Sequence, residues 1–139
     1  EIGMDYNHGT GHGVGYVLNV HEGPNSFHWK QYPGRTAERV IEEGMVTTDE
    51  PGIYLEGKFG IRTENELICR KGEKNEYGQF MYFENLTYVP IDLDAIDANQ
   101  MTDREKGYLN AYHARVYELV SPFLNDEEAQ WLKKYTRAI

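Results

Sequence analysis

Apolar and polar residues follow two rhythms along this chain, and the change falls near Pro90. Before it, short runs with period two are separated by Gly- and Pro-rich breaks, as in strands. Val14 to His21 predicts a strand, with Tyr16, Leu18 and Val20 on one side and Val17, Asn19 and His21 on the other. Glu22 to Ser26 is a turn cluster. Residues 27 to 43 are mixed and polar, broken at Pro33-Gly34, and predict a surface loop. Its Trp29, Tyr32 and Arg35 are candidates for ligand contact, with surface packing the more expected role. A β-branched run from Met45 stops at Pro51-Gly52, Ile53-Tyr54-Leu55 continues it, and Glu56-Gly57-Lys58 reads as a hairpin turn. Phe59 to Arg70 predicts the next strand, placing Ile61, Thr63, Asn65 and Leu67 opposite Arg62, Glu64 and Glu66. Lys71 to Gly78 reads as a polar turn, and Phe80 to Val89 as a strand with an aromatic face.

Beyond Pro90 the spacing becomes helical. Thr102 predicts an N-cap, with Glu105 three residues on as in a capping box. The helix it opens carries Tyr108, Leu109, Tyr112, Val116, Leu119 and Val120 on one side and should end near Pro122. A second helix opens after Asn125 with Asp126, Glu127 and Glu128, which suit the positive end of the helix dipole, and closes on Lys133, Lys134 and Arg137. Strands first and two helices last make the fold class α+β.

Composition narrows the choice of function. A chain of 139 residues has the size of one domain. Its formal charge of −9 argues against a nucleic-acid or anionic-membrane surface. There is no apolar run of the ~18 residues a membrane-crossing helix needs. The single Cys69 excludes an internal disulfide and fits a reducing compartment such as the cytoplasm. The first residues carry neither a signal peptide nor an initiator Met, so a longer parent protein is expected.

The densest chemistry lies in His8-Gly9-Thr10-Gly11-His12-Gly13-Val14-Gly15, followed by His21-Glu22. Glycine at this density opposes a helix and lets backbone approach a neighbour closely. Neither G-x-G-x-x-G nor a Walker pattern fits, and H-E-x-x-H fails because position 25 is Asn. A loop of exposed histidines is the plain alternative. Acidic partners change that reading: Glu50 at a Pro-Gly stop, and Glu64 within a strand, two residues after Arg62. One imidazole and two carboxylates (His12, Glu50 and Glu64) suit Mn2+, Co2+, Fe2+ or Zn2+ at a hydrolytic site, against solvated acids on an acidic protein.

Set in order, four stretches resemble the second half of the pita-bread metallopeptidases, family M24. They are His8 to Gly15, Asn19-Val20-His21-Glu22-Gly23-Pro24, Thr48-Asp49-Glu50-Pro51-Gly52 and Gly60-Ile61-Arg62-Thr63-Glu64-Asn65. The similarity is strongest to the Xaa-Pro aminopeptidase (aminopeptidase P) group in its longer, three-domain form. Leu86 to Ile91 and the Trp131-Leu132 helix are similar to that group's C-terminal extension.

The resemblance implies the C-terminal half of a pita-bread fold, a curved antiparallel sheet with helices, in residues 1–90. Residues 91–139 would be a helical extension that contacts a second copy in a homodimer. It implies that His12, Glu50 and Glu64 are metal ligands, Glu64 bridging two divalent ions, most often Mn2+, with Zn2+ or Co2+ as alternatives. His8 and His21 would assist substrate binding and proton transfer, and Arg62 would join the hydrogen bonds around a site carboxylate. The implied substrates are peptides with proline second. Prolidase or methionine aminopeptidase on the same fold is the alternative enzyme, and a non-catalytic module binding a partner protein the alternative class. The family site also uses two aspartates and a further histidine, expected upstream of Glu1. The 139 residues alone are therefore expected to be inactive.

Overall fold

Backbone hydrogen bonding decides which predicted elements form. The computed structural model describes residues 3–4, 7–17, 19–29 and 40–139. The chain divides into two units, Glu1–Thr87 and Tyr88–Ile139.

The first unit holds the strands β1 (Gly11–His12), β2 (Ser26–Phe27), β3 (Val46–Asp49), β4 (Gly52–Leu55), β5 (Phe59–Arg62), β6 (Asn65–Asn75) and β7 (Gly78–Asn85). Every pairing is antiparallel: β1 with β2, β4 with β5, and β3-β6-β7 in a three-stranded sheet. An isolated bridge, Gly13 to Thr47, ties the glycine turn to β3. Between β4 and β5 the turn at Glu56–Lys58 forms as expected. Gly57 takes φ +70°, open to glycine without strain, and the Lys58 N–H donates to the Leu55 carbonyl at 2.9 Å.

Four strand expectations need correction. Val14 to His21 is not a strand among its described residues. The Gly15 N–H bonds the Asn19 carbonyl and the Glu22 N–H bonds the Gly13 carbonyl, both at 2.9 Å, so the segment closes on itself as a loop. Its alternation reports no buried face, since Tyr16, Val17 and Val20 are all exposed. Next, Ile53 to Leu55 does not continue β3: after Pro51 the chain starts β4 in a separate two-stranded sheet. The single strand expected from Phe59 to Arg70 breaks at Thr63 and Glu64, where the Thr63 N–H reaches the Pro51 carbonyl at 3.3 Å. Finally, the polar stretch after Lys71 stays in the sheet to Asn75, with a register shift between Lys71 and Lys74, and β7 starts at Gly78 and stops at Asn85. That arm is exposed on both faces, so it carries no apolar alternation to read. Tyr32 and Arg35 lie outside the described residues.

In the second unit, two 3-10 turns (Leu93–Ala95, Ala98–Gln100) lead to helix α1 (Asp103–Val120). The Thr102–Glu105 capping box forms, with the Thr102 N–H on Glu105 Oε2 at 2.7 Å and the Glu105 N–H on Thr102 Oγ1 at 3.3 Å. Pro122 sits in the short turn Ser121–Phe123 that ends the helix. Helix α2 (Asp126–Tyr135) has its own capping box, Asn125 with Glu128. Leu93, Leu109, Val116 and Leu132 are the buried apolar residues. Of the face expected on α1, only Leu109 and Val116 are buried; Tyr108 is exposed, and fully buried His113 sits between them. His113 Nε2 accepts the Ile91 N–H at 3.0 Å, and the Tyr112 hydroxyl donates to the Val89 carbonyl at 2.8 Å. Both fasten the strand-like entry segment to α1.

Candidate functional site

Glu50 is the centre of the site. Pro51 prevents β3 from continuing its ladder, so the chain leaves the sheet at Glu50 with the side chain turned inward. Its carboxylate is 8% exposed: Thr48 Oγ1 donates to Oε1 at 2.9 Å, Arg62 Nη1 donates to Oε2 at 3.1 Å, and His12 Nε2 lies 2.8 Å from Oε1. A buried carboxylate needs this degree of compensation. Beside it, partial desolvation holds the Asp49 carboxyl above its ordinary range.

The glycine turn brings His12 to this carboxylate. The His12 N–H donates to Thr48 Oγ1 at 3.0 Å, its carbonyl accepts from Thr47 Oγ1 at 3.2 Å, and the Glu50 N–H donates to the Thr10 carbonyl at 2.6 Å. So close an approach admits no side chain at position 11: a Cβ on Gly11 would overlap the Thr48 carbonyl oxygen. The buried Asn25 side chain donates to the Val46 carbonyl at 3.2 Å, and the Asn25 backbone carbonyl accepts the Gly13 N–H at 3.0 Å. The His12 and His21 rings lie 4.2 Å apart, although His21 is otherwise exposed. His8 faces the Gly52 carbonyl through Nε2 at 3.2 Å and meets the Tyr54 ring edge-on at 5.4 Å. Arg62 lies over that same ring at 5.6 Å. These residues surround a cavity of about 450 Å3 whose wall includes His8, His12, His21, His28, Glu50 and Arg62.

Five of the six expected site residues thus share one cavity. Glu64 does not line it: it sits in the break between β5 and β6, its carboxylate 3.9 Å from Arg62 Nη1 and 41% exposed. A divalent metal fits part of this set. His12 Nδ1 is 2.9 Å from the Gly13 carbonyl, the outer contact that commonly orients a ligating imidazole, and Nε2 is aimed at a buried carboxylate oxygen. Imidazole nitrogen and carboxylate oxygen together suit a borderline divalent ion. Among the described residues, however, no three His, Cys, Asp or Glu side chains are arranged to hold a metal ion. Among these residues His12 and Glu50 bring an imidazole nitrogen and a carboxylate oxygen together, at 2.8 Å.

Two family models match this chain: metallopeptidase family M24 over residues 1–71, and the C-terminal region of peptidase M24 over residues 79–139. The chain belongs to metallopeptidase family M24. Among its M24 relatives, aminopeptidase P2 of Arabidopsis thaliana is 46% identical over 100% of this chain, which covers 20% of that protein. Aminopeptidase P1 of Lotus japonicus is 43% identical over 99% of the chain and 21% of its own length. The crystal structure of X-prolyl aminopeptidase from Caenorhabditis elegans, described as a cytosolic enzyme with a di-nuclear active site, superposes with a TM-score of 0.83. It is 36% identical over 99% of this chain and 22% of its own. The chain therefore has the fold of the matching part of a pita-bread enzyme, and spans about a fifth of the length of the relatives it matches.

Sequence reasoning missed several residues in and around this candidate site. Thr48 was legible only as part of the Thr48-Asp49-Glu50 motif, and Tyr54 only as a strand residue. Asn25 and His28 stood in a turn and a loop with no periodicity to mark them.

Proposed function

We propose that this chain is part of a dinuclear-metal Xaa-Pro aminopeptidase, which releases the N-terminal residue from peptides with proline second. The observation that carries the reading is the His12–Glu50–Arg62 centre, with His8 and His21 on the same cavity wall, in a chain that superposes on an X-prolyl aminopeptidase over nearly its whole length. His12 and Glu50 are the ligand pair already in place, and Glu64 joins them in the complete site. When bound, such an ion polarises a carbonyl oxygen and acidifies water. The chain's own groups do the rest. Arg62 holds Glu50 Oε2 and so fixes the carboxylate plane; His8 and His21 are the imidazoles within the cavity that hydrogen-bond a peptide and carry protons.

Mn2+ is the proposed metal, a cytoplasmic compartment the proposed location, and residues 91–139 the proposed dimer contact. The half-exposed Trp131, whose ring lies tilted against Tyr135 with centroids 4.6 Å apart, supports the last of these. The parent protein should cleave a proline-second peptide and spare the same peptide with alanine there; comparable turnover of both would refute the specificity. The isolated 139 residues should show no turnover with added Mn2+, because among the described residues no three His, Cys, Asp or Glu side chains are assembled to hold an ion.

A further inference from the structure

We infer that Thr48 is a positioning residue for the metal-binding pair, a role that rests on the aminopeptidase reading above. A threonine hydroxyl has one proton. Thr48 Oγ1 accepts the His12 N–H at 3.0 Å, so its proton is committed to Glu50 Oε1 at 2.9 Å. The same Oε1 faces His12 Nε2 at 2.8 Å. The three contacts close a ring from the His12 backbone, through the hydroxyl, to the carboxylate and back to the His12 imidazole. The ring fixes the separation of the glycine turn from β3 and the orientation of the carboxylate together.

Strand propensity does not account for this residue. Valine has the same branching and fits a buried strand position at least as well, and Thr48 is 2% exposed. Only the hydroxyl separates the two. Without it the His12 N–H would have no acceptor from this strand, and Glu50 Oε1 would lose its hydroxyl donor. Neighbouring Thr47 serves the other backbone group, donating to the His12 carbonyl at 3.2 Å, so consecutive hydroxyls hold both ends of the His12 peptide. His12 is a ligand candidate on the two-residue strand β1, flanked by glycines, and the two β3 hydroxyls fasten it to that neighbouring strand.

The test compares Thr48→Val and Thr48→Ser in the full-length parent, measuring Mn2+ affinity of the metal-free protein by calorimetry together with kcat and KM on a proline-second peptide. Thr48→Val should weaken Mn2+ binding about 10–100-fold, the usual loss for an outer-shell partner, and lower kcat with little change in KM. Thr48→Ser, which keeps the hydroxyl, should restore affinity to within about threefold. Wild-type affinity in Thr48→Val, or equal loss in both variants with a native circular dichroism spectrum, overturns the assignment. If Thr48→Val does not fold, Thr48→Cys replaces it: an intermediate loss supports the role and unchanged affinity overturns it. Failure of the wild-type parent to cleave the peptide would sink the aminopeptidase reading but leave the metal titration to judge Thr48.

Discussion

The two units of this chain use their interiors for opposite purposes. Among the described residues of Glu1–Thr87 the buried side chains are Asn25, Thr47, Thr48, Glu50 and Cys69, four of them polar and three gathered at His12. In Tyr88–Ile139 they are Leu93, Leu109, Val116 and Leu132, with His113 the one polar member. In this chain Tyr54, Phe59, Ile61 and the run Phe80 to Phe83 of the first unit are exposed, while Phe27, Val46, Leu67 and Ile68 are half-buried. Hydrogen bonds are directional and apolar contacts are not. In the first unit the buried hydroxyls of Thr47 and Thr48 give His12 and Glu50 directional partners. The helical unit gains from burial and closes its helix ends with capping boxes.

The comparison is broken most sharply at Glu50. Glu50→Ala in the parent removes the group that Arg62, His12 and Thr48 share. Turnover of a proline-second peptide should fall by more than the ~100-fold that an outer-shell loss costs; a smaller fall in steady-state assays would show that the polar interior is not the working site. Leu132→Ala is the counterpart in the helical unit. It should destabilise by about 2–5 kcal/mol through transfer and cavity terms in thermal or urea melts, while Mn2+ affinity holds. Thr102→Ala should cost about 1 kcal/mol by removing the N-cap of α1, again with metal affinity unchanged.

The smallest expected effect is a pH dependence. Burial of the His113 ring holds it below the ordinary histidine value, and the Arg137 cation adds to this, opposed by the Arg137 backbone. The folded state thus prefers the neutral ring, whose Nε2 accepts the Ile91 N–H. Between the lowered folded value and the ordinary one near 6.5 the unfolded chain binds more protons, so stability is full above about 6.5 and falls as pH drops through that range. His113→Gln should flatten this slope in melts taken across the range; an unchanged slope would assign it to other groups.

How much could be read beforehand differs between the units for the same reason. Helix ends are local events: Thr102 with Glu105 and Asn125 with Glu128 lie three residues apart and carry their own partners. His113 escaped because a histidine does not register as core, although its spacing from Leu109 and Val116 is that of a helix face. Strands depend on neighbours. Val14 to His21 had the alternation of a strand but pairs with none among the described residues, and β6 ran past Arg70 with no apolar rhythm to show it.

By itself the sequence determined the α+β order, the capped helices, the Pro-Gly stop at Glu50, the hairpin at Gly57 and the family to which the chain belongs. These are written in contiguous residues. Only the tertiary structure decided that His12, Glu50 and Arg62 meet on one carboxylate, that Thr48 links the first two, and that Glu64 stands apart in a strand break. Those contacts join segments far apart in sequence through the pairing of β6 with β3 and the close approach at Gly11, and no local pattern encodes such a distance.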